Sequence, residues 1–229
     1  GIGLPPAQYP DVPSRVRFVE RLLNQLQTAP GIEAVSVGDN VPLGGNNSSS
    51  PYARIDKNPV PVSQRPLGLT RAISPGYFRT LGVSLLAGRD FTERDGTDQP
   101  QVVILSNSTA KKLFPNENPL GHQILFGADN GNGLPAEIVG VVGDVRSQQL
   151  SKANEIEFYR PWPQRSAPFM SVTVRIPTKP AASSGVVWRP LTTRATGLPM
   201  PRPNPSDSTA TASSATAPAP RPLPGVFPR

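Results

Sequence analysis

Residues 72–91 constrain the fold of this chain more than any other stretch. They read Ala-Ile-Ser-Pro-Gly-Tyr-Phe-Arg-Thr-Leu-Gly-Val-Ser-Leu-Leu-Ala-Gly-Arg-Asp-Phe. The pattern predicts a strand ending at Ile73, a turn at Ser74, Pro75 and Gly76, and one helical turn carrying Tyr77, Phe78 and Leu81. A second strand follows through Leu86, with Gly82 and Gly88 as punctuation. The stretch holds no nucleophile–base pair, no metal-ligand cluster and no phosphate cradle.

Around it, the chain divides at Ile176. Up to Arg175 the apolar pattern is periodic; beyond it Pro, Ala, Ser, Thr and Arg dominate. Thirty prolines in 229 residues, with only 36% apolar residues, fit a chain of which part does not fold. Residues 206–224 are low in complexity and offer too little apolar surface to offset chain entropy. Two readings of the tail fit: a disordered linker, or an out-of-frame continuation.

Charge follows the same division. The net +7 splits into +5 on residues 176–229 and +2 on the first 175. The basic character is mostly a property of the tail, and this weakens any nucleic-acid groove. No cysteine is present, so disulfides and Cys-ligated metals are excluded. No stretch approaches the roughly 18–20 apolar residues of a membrane span. The start, Gly-Ile-Gly-Leu-Pro-Pro, shows no basic leader. The chain therefore reads as soluble as given, and as a piece of something longer.

Residues 11–31 give the clearest helix, with Asp11 as cap, Pro13 in the first turn and Pro30-Gly31 as the stop. Phe18, Leu22 and Leu26, flanked by Val19 and Leu23, form its apolar stripe. Ile32–Val37 reads as an alternating strand, and 44–51 as a loop. Strand-like runs near 52–56 and 66–73 lead into Ser74. Val102–Leu105 predicts a buried strand, followed by a short helix capped by Asn107 with Ala110, Leu113 and Phe114 inward. Residues 121–126 read as a strand and 129–133 as a turn. The run from Ile138 to Val145, apolar on both faces, predicts a central strand. Residues 158–162 and 170–175 predict two more.

Candidate chemistry is sparse. His122 is the sole histidine, without ligand partners, and reads as a strand-edge residue. Asp90, Glu93, Asp95 and Asp98 lack the order of a calcium loop and read as solvated turn carboxylates. Gly140-Val-Val-Gly143-Asp lacks G-x-G-x-x-G and reads as a strand relieved by glycine. Ser74, Ser106 and Ser108 lack a nucleophile elbow. Tyr77, Phe78 and Phe91 read as core anchors. No catalytic, cofactor-binding or metal residue is expected, and a hydrolase is the least supported class.

Several motifs in order carry a resemblance. They are Tyr9-Pro-Asp, Pro30-Gly-Ile-Glu-Ala-Val-Ser, Val41-Pro-Leu-Gly, Ser74-Pro-Gly-Tyr-Phe-Arg-Thr-Leu-Gly, Gly88-Arg-Asp-Phe, Phe114-Pro-Asn-Glu-Asn-Pro-Leu-Gly and Ile138-Val-Gly-Val-Val-Gly-Asp-Val-Arg. Over roughly residues 7–175 the chain resembles the MacB-like periplasmic core domain of ABC transporter permeases of the MacB/FtsX type. The resemblance implies an α+β domain on the periplasmic side of the bacterial cytoplasmic membrane, with two lobes. Lobe one, of β-α-β type, would comprise 1–60 and 135–175; a smaller strand-rich lobe, 61–134, would be inserted in it. Residues 176–229 would be a disordered tail. The implied partners are transmembrane permease helices, a cytoplasmic ATPase, and a periplasmic adaptor or outer-membrane component. The implied work is mechanical coupling of ATP hydrolysis to efflux or to lipid or lipoprotein handling, for which this chain alone would not suffice. The alternative is a stand-alone periplasmic binding or adaptor module with the same fold. The residues expected to matter are structural: Ser74, Pro75, Gly76, Tyr77, Phe78, Leu81, Gly82, Gly88, Phe91, Gly140 and Gly143.

Overall fold

Helix α1 (Val12–Gln27) begins where the sequence places it. The Asp11 carboxylate accepts from the Ser14 backbone N–H at 2.8 Å, and Ser14 Oγ in turn accepts from the Asp11 N–H at 3.4 Å. Two otherwise unpaired N–H groups are thereby satisfied. The helix stops at Gln27, before Pro30-Gly31, because the Thr28 hydroxyl donates back to the carbonyls of Asn24 and Gln25. Its stripe docks through buried Val19, with Phe18 and Leu23 beside it.

The computed structural model describes residues 1–39, 48–57, 61–127, 135–145 and 156–177. The turn expected at 129–133 and the tail from 178 onward lie outside these residues, as do residues 44–47 of the loop expected at 44–51. In chain order the remaining elements are β1 (Ile2–Gly3), β2 (Ala34–Gly38), β3 (Ser49–Arg54), β4 (Leu67–Ile73), α2 (Tyr77–Leu81), β5 (Leu85–Gly88), β6 (Val102–Ser106), α3 (Asn107–Leu113), β7 (Gln123–Phe126), β8 (Pro135–Val142), β9 (Glu157–Pro161) and β10 (Phe169–Arg175). All belong to one compact unit, Gly1–Val186. The class is mixed strand and helix, with few helices.

The strands join into one mixed sheet, ordered β1-β10-β2-β4-β3-β7-β8-β6-β9, with β5 added to β8 and β4 also paired to β9. Most neighbours are antiparallel; β4–β9 and β6–β8 are parallel. Strand β8 is central, with β7 and β5 pairing antiparallel and β6 parallel to it. It starts at Pro135 and ends at Val142, earlier than the apolar run expected to reach Val145.

Adjacent side chains on a strand point to opposite faces. Ala72 packs with α1, whereas Ile73 packs with α2. Val103 and Leu105 pack with α3, whereas Val102 and Ile104 pack with α2. Helices α1 and α3 therefore cover one face of the sheet and α2 the other. This explains why all five residues of β2 are buried, where Ile32–Val37 was expected to alternate.

Three other local expectations are corrected. The cap of α3 is Ser106, whose hydroxyl accepts from Thr109 N–H at 3.3 Å; Asn107 is already helical. Strand β5 begins at Leu85 and runs to Gly88, because Val83 completes the end of α2. The loop expected to reach Pro51 gives way at Ser49 to β3, whose Ser49–Pro51 ladder with β4 fixes it.

Candidate functional site

The residues expected to matter converge on the face covered by α2. Ser74 follows β4 and is buried. Its N–H donates to the Val37 carbonyl at 2.9 Å, and its Oγ accepts from the Val37 N–H at 3.0 Å. One side chain thereby extends the pairing of β4 with β2 past the last strand residue. The hydroxyl also donates to the Pro75 carbonyl at 3.2 Å. Gly76 then takes φ +75°, the left-handed region that a side chain disfavours, and turns the chain into α2.

Helix α2 is short, so its packing rather than its length must hold it. Tyr77, Phe78, Thr80 and Leu81 are buried, and Arg79 alone is exposed. The Phe78 ring meets Tyr159 edge-on at 4.9 Å and Tyr77 at 5.8 Å. The helix ends in a Schellman motif: Val83 N–H donates to Phe78 O at 2.8 Å and Gly82 N–H to Arg79 O at 3.1 Å, with Gly82 at φ +73°.

Two further motifs close on this element. Asp90 Oδ1 accepts from Phe91 N–H at 2.7 Å, and the Gly76 backbone also hydrogen-bonds to the Asp90 carboxylate. Burial pushes the Asp90 carboxyl above its ordinary pKa, although both backbone bonds pull the other way. Phe91 fills the core under α2. At Gly88 and Gly140, strands β5 and β8 touch backbone to backbone. A Cβ on Gly88 would collide with the Val139 carbonyl, and one on Gly140 with the Arg89 carbonyl. Gly143 N–H donates to Ser84 O at 2.9 Å and extends that contact.

The acidic turn corrects the expectation of solvated carboxylates. Glu93 and Asp98 are exposed, but Asp95 is buried. Both its oxygens accept from the Arg89 guanidinium, at 2.8 and 2.9 Å, and Oδ2 also accepts from Thr92 N–H at 2.8 Å. Burial alone would raise its pKa; the bonds from Arg89 and Thr92 outweigh it and hold the carboxyl below the usual range. Asp95 staples the turn instead of solvating it.

Sequence reasoning missed a buried charge pair on the same face. Arg71 Nε donates to Glu157 Oε1 at 3.0 Å, with both side chains almost fully buried. Tyr159 O–H donates to Glu157 Oε2 at 2.9 Å, and Glu157 N–H donates to Thr109 Oγ1 at 2.8 Å. Burial pushes the Tyr159 hydroxyl well above its ordinary pKa, and Glu157 adds to it. Arg71, the sole charged residue of β4, was the available signal.

A second cluster lies at the end of β3. Arg54 bonds Asp56 and, at 2.9 Å, Glu117; its guanidinium lies 3.9 Å over the Phe114 ring. The Arg54 bond holds the Asp56 carboxyl down at about 2. His122 sits just before β7, with Nδ1 3.4 Å from Asp56 and its ring 5.1 Å from Phe114. Among the described residues no group of three or more His, Cys, Asp or Glu is placed to hold a metal, and no helix is long and apolar enough to cross a membrane.

This arrangement is a framework of buttressed backbone turns. The family model for the MacB-like periplasmic core domain matches residues 5–187. The chain belongs to that family of ABC transporter permease domains, which lies on the periplasmic side of the bacterial cytoplasmic membrane. It is 39% identical over 92 residues to the macrolide export ATP-binding/permease protein MacB of Aggregatibacter actinomycetemcomitans. It is 35% identical over 91 residues to a probable syringafactin export ATP-binding/permease protein of Pseudomonas syringae pv. tomato. Each match covers 39% of this chain and 13% of the relative, so the chain matches about an eighth of the relatives' length. Among solved structures it is similar to the periplasmic region of MacB from Actinobacillus actinomycetemcomitans, with 28% identity, a TM-score of 0.48, and 67% of this chain and 62% of that one covered.

Proposed function

We propose that this domain works mechanically. It passes movement between permease helices in the membrane, driven by a cytoplasmic ATPase, and the periplasmic steps of export. The observation that carries this reading is the family match over residues 5–187, together with relatives named as export ATP-binding/permease proteins. The cargo class is efflux substrates or lipid and lipoprotein material, and the outer partner is a periplasmic adaptor or outer-membrane component.

The interior supports a mechanical role over a chemical one. Its buried charges are bound within the fold, as Glu157 is to Arg71 and Asp95 is to the more exposed Arg89. The two lobes, residues 1–60 with 135–175 and an inserted 61–134, belong to the same proposal, although the apolar clusters do not follow these bounds. One apolar cluster gathers α1 with β2 and β10; another gathers α3 with β3, β6, β7 and β8 on the same face. Strand β4 joins them through its pairings to β2, β3 and β9.

The test is a domain exchange. Residues 5–187 would replace the periplasmic domain of a reconstituted permease of this family, with ATP hydrolysis and export of a fluorescent substrate measured together. Export tied to hydrolysis is expected in the hybrid and lost when the domain is deleted. Equal export from the deleted form overturns the coupling role. The purified chain itself should release no phosphate from ATP above background, since it carries no Walker A loop. Turnover abolished by a point mutation in this chain would show a catalytic centre instead.

A further inference from the structure

Arg175, the last residue of β10, is fixed at its backbone. It pairs with Ala34 of β2, and its carbonyl accepts from Glu33 N–H at 2.8 Å. Its side chain leaves the strand and crosses to the far end of α2, where Nε donates to the Thr80 carbonyl at 3.1 Å. That carbonyl lies in the last turn of α2, where partial negative charge gathers and a cation is favourable. The guanidinium occupies the space a side chain at position 82 would need: a Cβ on Gly82 would lie 2.5 Å from Arg175 Nη2. Gly82 therefore serves two ends. Its φ of +73° closes the Schellman motif, and its missing side chain admits the arginine.

We propose that Arg175 and Gly82 form a joint that fastens α2 to the end of β10. Movement delivered along the chain at β10 passes through this joint to α2, and through Phe78 against Tyr159 to β9. The joint rests on the mechanical reading for its purpose, but not for its existence. No other described contact carries a charged side chain from β10 to α2. The chemistry is specific: a guanidinium reaching a helix-end carbonyl over a glycine, which neither alanine at 82 nor a shorter cation at 175 reproduces.

Hydrogen exchange on the full chain tests it. Arg175→Ala should speed exchange at the amides of Thr80, Gly82 and Val83 by about tenfold, the scale expected for losing a charge-assisted bond. Exchange in β6, at Val103–Leu105, should stay at the wild-type rate. Gly82→Asn tolerates the left-handed backbone but adds a Cβ, so it should unseat the arginine and give the same local acceleration. Combining the two should add little to either alone. The joint is overturned if Arg175→Ala leaves Thr80–Val83 within about twofold of wild type. It is equally overturned if the acceleration spreads evenly into β6, or if the two substitutions add fully. Should Gly82→Asn fail to fold, Arg175→Ala decides alone. Because exchange is read without transport, loss of the joint and loss of the coupling role are separate results.

Discussion

Replacing Phe78 with alanine probes the packing of α2 directly. The ring is 3% exposed and contacts two other aromatic rings, one of them Tyr159. A buried phenylalanine removes roughly 150–250 Å² from water, which at about 25 cal/mol/Å² is a gross stabilisation of about 4–6 kcal/mol. Alanine keeps part of this, and measured Phe→Ala costs of about 3–5 kcal/mol set the expectation. Collapse around the cavity is resisted, because Tyr159 is held by Glu157 and Glu157 by Arg71. The value should therefore fall in the upper half of the range. That is a large share of the roughly 5–15 kcal/mol that holds a domain folded. The neighbour Arg79 points to solvent, and its change to alanine should stay within about 0.5 kcal/mol. Urea melts of both variants, with unchanged m-values, make the comparison. Equal losses from Phe78→Ala and Arg79→Ala would refute the orientation of α2.

Three further outcomes follow from the site. Gly140→Ala should destabilise by about 1–3 kcal/mol or more, since its Cβ must displace the Arg89 backbone, and a melt matching wild type would refute the close approach of β5 and β8. Glu157→Leu alone should cost about 3–5 kcal/mol by removing the buried carboxylate that both Arg71 and Tyr159 bond, while Arg71→Met with Glu157→Leu should cost clearly less; a double variant as unstable as the single would show that the pair is not the issue. Asp95 and Asp90 should oppose each other in acid. The Asp95 carboxyl is depressed in the fold, so its stabilisation is present above the unfolded value and lost as pH falls through the folded one; Asp90 is raised, so its protonated form favours the fold and that contribution fades as pH rises through the folded value. Melts between pH 3 and 7 should accordingly flatten in Asp95→Asn and steepen in Asp90→Asn, and identical profiles would refute the assignment.

The sequence told most where a signal is local. Asp11, Ser14 and the apolar stripe of α1 specify a capped helix within a few residues, and Ser74-Pro-Gly with Gly82 specifies a turn, a helical turn and a stop. The short strands were also legible, because their apolar runs stand between turn residues. What could not be read is pairing at a distance. Nothing near Arg71 announces Glu157, because the parallel ladder of β4 with β9 alone brings them together. Nothing near Asp95 marks it as buried, since its burial depends on Arg89 folding back over it. The cap of α3 was placed one residue late, because Ser106 and Asn107 both suit the role and the strand's end decides between them.

The sheet order has a consequence for the way this domain forms. Strand β2 is followed in the chain by most of the molecule before β10 arrives to pair with it, so that Val37 meets Val172. β1 waits longer still for Phe169 and Met170. During synthesis, α1 is complete early yet has only part of the surface it packs on, because Trp162 and Met170 of that cluster come late. Closing such a long loop costs entropy before it is rewarded, and chains dominated by distant pairing fold slowly. Helix α1, the earliest helix of this domain, is thus among the last to be secured, and β10, which ends in Arg175, is the strand that locks it.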